Sequence, residues 1–151
     1  MAHTNRVRVI LGGLLAGVVI NIVEFITNGV VLNDAWAHVM QSLGKPPLPV
    51  SSIVLFNVWG FLMGIASVWL YAAIRPRYGE GPATAIRAGL AAWVMAVFLV
   101  TVTNYAIGTI PVRLLVITSL VELVEIPLAT VVGAWLYKEQ TETPAVRRAA
   151  A

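Results

Sequence analysis

The chain has 151 residues, 59% of them hydrophobic and only 11% charged, with a mean hydropathy of +0.85. Soluble domains are about half apolar and about a quarter charged, so this composition excludes an ordinary soluble domain. The net charge of +3 is spread over loops and termini, which excludes a nucleic-acid surface, and the lack of cysteine excludes disulfides, thiolate metal sites and thiol redox chemistry.

Four apolar runs reach membrane-spanning length, at about 9–32, 52–74, 84–108 and 112–137. The first follows Arg6 and Arg8 as a signal peptide would. It nevertheless runs on through Leu32, and the loop beyond it leads straight into another span, so it reads as a span. The expected fold is all-α: a four-transmembrane-helix bundle in one domain over residues 1–138, followed by a polar, disordered tail over 139–151.

The connection from Asn33 to Ser51 is the long one. Trp36, Val39, Met40 and Leu43 recur at i, i+3, i+4 and i+7, which predicts a short amphipathic helix, capped by Asn33 or Asp34 and ended by Gly44. Lying flat in the outer interface with Trp36 at headgroup level is the favoured reading, and a lid is the alternative. Pro46, Pro47 and Pro49 then return the chain to span 2 in extended form. Span 2 ends at Ile74, Arg75 to Pro82 reads as a turn segment, and Pro82 suits the first turn of span 3. The link Gly108-Thr109-Ile110-Pro111 is so tight that spans 3 and 4 must be antiparallel neighbours. Arg6, Arg8, Arg75, Arg77, Arg87, Lys138, Arg147 and Arg148 fall on one side, against Lys45 and Arg113 on the other. That bias predicts a plasma-membrane protein of the bacterial inner-membrane type with both termini cytoplasmic.

Span 2 closes on Trp69-Leu70-Tyr71 and span 4 on Trp135-Leu136-Tyr137, which read as two aromatic anchors at the inner interface. Trp59 and Trp93 read as space-filling residues, with a cation–π wall as the alternative.

Polar residues inside the spans carry the functional signal. At about 1.5 Å per residue from the cytoplasmic end, Glu24 and Glu122 lie about 22 Å deep, and Asn21 and Glu125 about 18 Å. Asn28, Asn57, Thr101 and Asn104 lie between about 25 and 30 Å. Gly13, Gly17, Asn21, Glu24 and Asn28 form one stripe of span 1, and Thr118, Glu122, Glu125, Ala129 and Gly133 one stripe of span 4. Gly13-xxx-Gly17 and Gly60-xxx-Gly64 are small-residue patterns that let helices approach closely. The bundle should therefore close on the cytoplasmic side and open a polar pocket outward. No basic residue lies at the depth of the three carboxylates, so desolvation and mutual repulsion oppose their ionisation. Such a group suits proton exchange or cation binding; the alternative is that protonated glutamates and asparagines tie the helices together. Pro127 frees the carbonyl of Leu123 and weakens the helix beside Glu125.

His3 and His38 both lie outside the spans, which leaves no intramembrane haem or His-rich metal site, and no Ser–His–acid arrangement exists within them. An enzyme is not expected, nor a cofactor. The expected partners are the lipid bilayer, a small ion or cationic ligand, and a second copy of the chain or a larger membrane complex.

The segment Gly13–Phe25, with Trp69-Leu70-Tyr71-Ala72-Ala73-Ile74-Arg75-Pro76 and Val124-Glu125-Ile126-Pro127-Leu128-Ala129-Thr130, resembles a family of uncharacterised small four-helix bacterial integral membrane proteins. That resemblance covers most of the chain and implies a fold class without an activity. A looser likeness is to the small multidrug-resistance exporters, which have four helices and a carboxylate in the first. Here the chain is longer, with two further carboxylates in span 4 and a long first outer loop. Transport coupled to a proton or cation is thus one expectation, and an accessory subunit with its polar stripe buried against partner helices is the other.

Overall fold

A computed structural model describes residues 4–138; the expected tail at 139–151 and His3 lie outside the described residues. All regular structure in the described chain is helical, and the described residues form no strand. Helix α1 (Arg6–Glu24) continues into a π-helical turn, Phe25–Val31. Then come α2 (Asn33–Ser42), α3 (Val50–Tyr78) and α4 (Pro82–Trp93), the last running through a second π turn, Val94–Phe98, into α5 (Leu99–Ile107). Helix α6 (Val112–Ala134) completes the bundle. The four stretches Arg6–Val31, Val50–Tyr78, Pro82–Ile107 and Val112–Ala134 are long and apolar enough to cross a membrane.

Local chemistry explains the boundaries. Asn5 caps α1 by accepting the Arg8 amide at 3.1 Å, and Pro82 opens α4 where its missing N–H costs nothing. Gly108, at φ 74°, supplies the left-handed residue that ends α5 and turns the chain into α6. Two expectations need correction. Helix α3 passes through Pro76 and ends at Tyr78, because proline removes only one helical donor and the Tyr78 carbonyl finds a partner in the Thr84 hydroxyl at 3.2 Å. Helix α2 has no side-chain cap: Leu32 occupies the capping position and Asn33 is already helical.

Glycines set the packing. A Cβ on Gly64 would stand 2.4 Å from the Gly13 carbonyl oxygen and from the Gly17 amide nitrogen, so α1 and α3 meet backbone to backbone at the two small-residue patterns. Gly12 meets Gly133 of α6 in the same way, and Gly89 of α4 lies against Pro127 of α6. Pro127 stands within a continuous α6, and its lack of an N–H coincides with this close approach.

Burial is uneven along the helix axes. The buried residues of α3 run from Gly60 to Ala72, and none belongs to α5 or to the π turn Phe25–Val31. The bundle is thus tight from its middle to the end that carries residues 4 and 138 and looser at the other. At the terminal end Tyr71 and Tyr137 pack edge to face, with ring centroids 5.9 Å apart, and Arg75 stands over the Tyr137 ring at 5.5 Å. Both tyrosines are buried, whereas Trp69 and Trp135 are exposed. The two aromatic clusters therefore divide by role: the tyrosines belong to the core and only the tryptophans face outward. Tyr137→Ala should cost about 3 kcal/mol, near the low end for emptying a buried aromatic site, and Trp135→Ala under about 0.5 kcal/mol. Thermal unfolding of the two variants in detergent checks that order.

Candidate functional site

Glu24 closes α1 at the start of its π turn, and Glu122 and Glu125 share one face of α6. The carboxyl groups of Glu24, Glu122 and Glu125 are near enough to repel one another. Glu24 and Glu122 are half-buried, and Glu125 is 3% exposed. No Lys or Arg occurs within 9–44, 88–112 or 114–137, so no basic side chain on α5, on α1 beyond Arg8 or on α6 beyond Arg113 offsets their charge.

Their hydrogen bonding is unequal. The Asn28 amide donates from Nδ2 to Glu24 Oε2 at 2.6 Å and accepts at Oδ1 from the Trp36 indole at 2.8 Å. Glu125 has no such help: among the described residues neither of its carboxyl oxygens has a hydrogen-bond partner. A buried polar group without a partner costs about 1–3 kcal/mol, so Glu125 burdens the fold. Among the described residues no three His, Cys, Asp or Glu side chains are grouped as a metal ion requires.

The asparagines divide. Asn21 Nδ2 reaches the Gly17 carbonyl at 2.9 Å and, across the helix contact, the Asn57 carbonyl at 3.2 Å, packing over Gly60. Its role is to join α1 to α3. The Asn57 side chain turns back to Ile53 of its own helix at 2.8 Å and is exposed, and Asn104 likewise donates to Val100 of its own helix at 3.0 Å. Thr101 is half-buried on α5. Thr118, half-buried, returns its hydroxyl to the Leu114 carbonyl at 3.1 Å. Of the residues singled out by sequence, hydrogen bonding and charge bring together Glu24, Asn28, Glu122 and Glu125. Asn57 and Asn104 instead satisfy their own backbones.

Two tryptophans have parts that sequence did not assign them. Trp36, expected at headgroup level, points its N–H at Asn28. Trp93, read as a filler, donates to the Ser119 carbonyl at 3.1 Å, joining α4 to α6 one turn from Glu122. An indole N–H withdrawn from water needs an acceptor, which is the signal that could have marked both. Trp59 is exposed. Comparison of the chain with protein-family models, curated proteins and solved structures finds no match.

Proposed function

We propose that the protein is a multi-pass integral membrane protein whose Glu24, Glu122 and Glu125 bind a proton or small cation, as the ion site of a transporter or of an ion-binding protein. The bias of Lys and Arg toward the end that carries the termini supports placing both termini in the cytoplasm of a plasma membrane, so the loose end of the bundle faces outward. One observation carries the functional reading: Glu125 is buried beside two other carboxyls with both oxygens unpartnered. A purely structural carboxyl would be expected to sit in a satisfied network, whereas a site that exchanges its ligand leaves groups free. Three carboxyls that interact without forming a metal-type group suit a shared proton better than a compact divalent ion.

The test is flux. Purified protein in vesicles holding a pH-sensitive dye should dissipate an imposed pH gradient, and Glu122→Gln should reduce that rate by at least about tenfold, as expected for loss of an essential proton carrier. An unchanged rate in Glu122→Gln rules this carboxyl out of any coupling role. A second reading, an accessory subunit or a copy within an oligomer, draws on the exposed Asn57 and the unburied length of α5. Copurification of a stoichiometric partner after gentle solubilisation would favour it.

A further inference from the structure

We infer that α2 is a gate over the carboxylate cluster, latched by the hydrogen-bond chain from Trp36 through Asn28 to Glu24 and released when Glu24 takes up a proton or a cation. The inference rests on the reading of that cluster as an ion site and adds its regulation.

The latch has a polarity. An ionised carboxylate can only accept hydrogen bonds, and an indole N–H can only donate. Asn28 stands between the two and satisfies both in one orientation alone, with Nδ2 toward Glu24 and Oδ1 toward Trp36. A protonated Glu24 donates from its hydroxyl and still accepts at its carbonyl oxygen, so it no longer selects one end of the amide, and a cation seated on it attracts oxygen and repels an amide N–H. Either change weakens the charge-assisted bond from Nδ2 and admits Asn28 with Oδ1 turned to Glu24. The amide then presents Nδ2 to the indole, donor against donor, and the hold on Trp36 is lost. Asn28 and Trp36 are thus positioning residues: they transmit the state of Glu24 to α2.

Little else restrains that segment. Asn28 lies in the π turn Phe25–Val31, which has no buried residue, and only Leu32 separates this turn from α2. A π turn is rare and is frequently found at functional sites. Val39 is the single buried residue of α2. Helix α2 and the start of α6 line an open cavity of about 530 Å³, with Val39, Leu114 and Ile117 among its residues. Leu114, Thr118, Glu122 and Glu125 follow one another at i+4, i+4 and i+3, so Leu114 stands about two turns from Glu122 and about three from Glu125 on the same face of α6.

Other charged groups surround the latch. Glu122 and Glu125 on α6 act on Glu24 directly, Asp34 and His38 lie on α2 itself, and Arg113 lines the cavity together with His38. The experiment must separate them from Glu24. Amide hydrogen exchange over residues 33–43 of the full-length protein in detergent, expressed as protection relative to intrinsic rates, should fall about tenfold from mildly alkaline to mildly acid pH, the scale of one charge-assisted hydrogen bond. Glu24→Gln should remove that response while leaving Asp34, His38 and Arg113 in place. Trp36→Phe, which keeps the ring and loses the N–H, should lower protection at alkaline pH and abolish the response. The double variant should match Trp36→Phe alone, because both act through one chain. A wild-type pH response that survives Glu24→Gln or Trp36→Phe overturns the gate. The flux assay with Glu122→Gln is independent of this result. Its failure beside a Glu24-dependent α2 leaves the latch standing and removes transport, whereas flux with an α2 indifferent to Trp36 removes the latch alone.

Discussion

Gly64→Leu is expected to leave no folded bundle, and Gly64→Ala to destabilise it by about 3 kcal/mol, at the upper end of the cost of overpacking a core. The first added atom already stands 2.4 Å from the Gly13 carbonyl oxygen and the Gly17 amide nitrogen. Ordinary contact begins at 3.4 Å, so the helix axes must separate by about 1 Å (3.4 minus 2.4). Both obstacles are backbone, so no side chain can rotate away. Helices α1 and α3 form the most extensive contact in the molecule, and a gap of about 0.5–1 Å forfeits a quarter to a half of each dispersion contact along it. In a membrane such packing, not hydrophobic exclusion, is what holds helices together, so little compensates the loss. The control is Gly29→Ala. Its nearest neighbour is the Phe25 ring at 3.3 Å, at an exposed position, so the change should be within about 0.5 kcal/mol of wild type. Thermal unfolding in detergent, followed by size-exclusion profile, distinguishes the two. A Gly64→Ala protein that melts like wild type would mean that α1 and α3 do not cross there.

Glu125→Met should make the protein more stable and inactive. Glu125 is buried at 3% exposure with neither oxygen bonded, a state that costs about 1–3 kcal/mol, and methionine fills a similar volume without the polar atoms. The gain should appear as a rise in melting temperature of roughly 2–4 °C for each kcal/mol recovered. Glu125→Gln should not share it, because the amide also needs partners at that place. Proton flux should be lost in both. Stability gained at the cost of activity is the mark of a functional liability, which a bundle-stabilising residue does not show. If Glu125→Met instead destabilises the protein, this carboxyl helps hold the helices together and the ion-site reading loses its central observation.

The four long apolar helices, their approximate limits, the short helix after the first of them and the close approach of Gly13, Gly17, Gly60 and Gly64 were all legible in the sequence. Each rests on a property carried by the residues themselves: apolar transfer energy summed over about 20 positions, a 3.6-residue period, or the missing side chain of glycine. The pairing of Glu122 with Glu125 belongs here too, since three residues along one helix always share a face. What sequence could not determine was which atom each polar group reaches. Asn21 and Asn57 look alike as intramembrane amides, yet one bridges helices and the other bonds its own backbone, because the choice depends on how α1 and α3 cross. The π turn that follows Glu24 escapes a reading at fixed period. The turn of Trp36 toward Asn28, the burial of Tyr71 and Tyr137 and the seat of Gly89 on Pro127 are likewise products of assembly. Hydropathy adds along a chain and survives without knowledge of neighbours. Hydrogen bonds and close packing are short-ranged and directional, so only the tertiary structure decides which of them form.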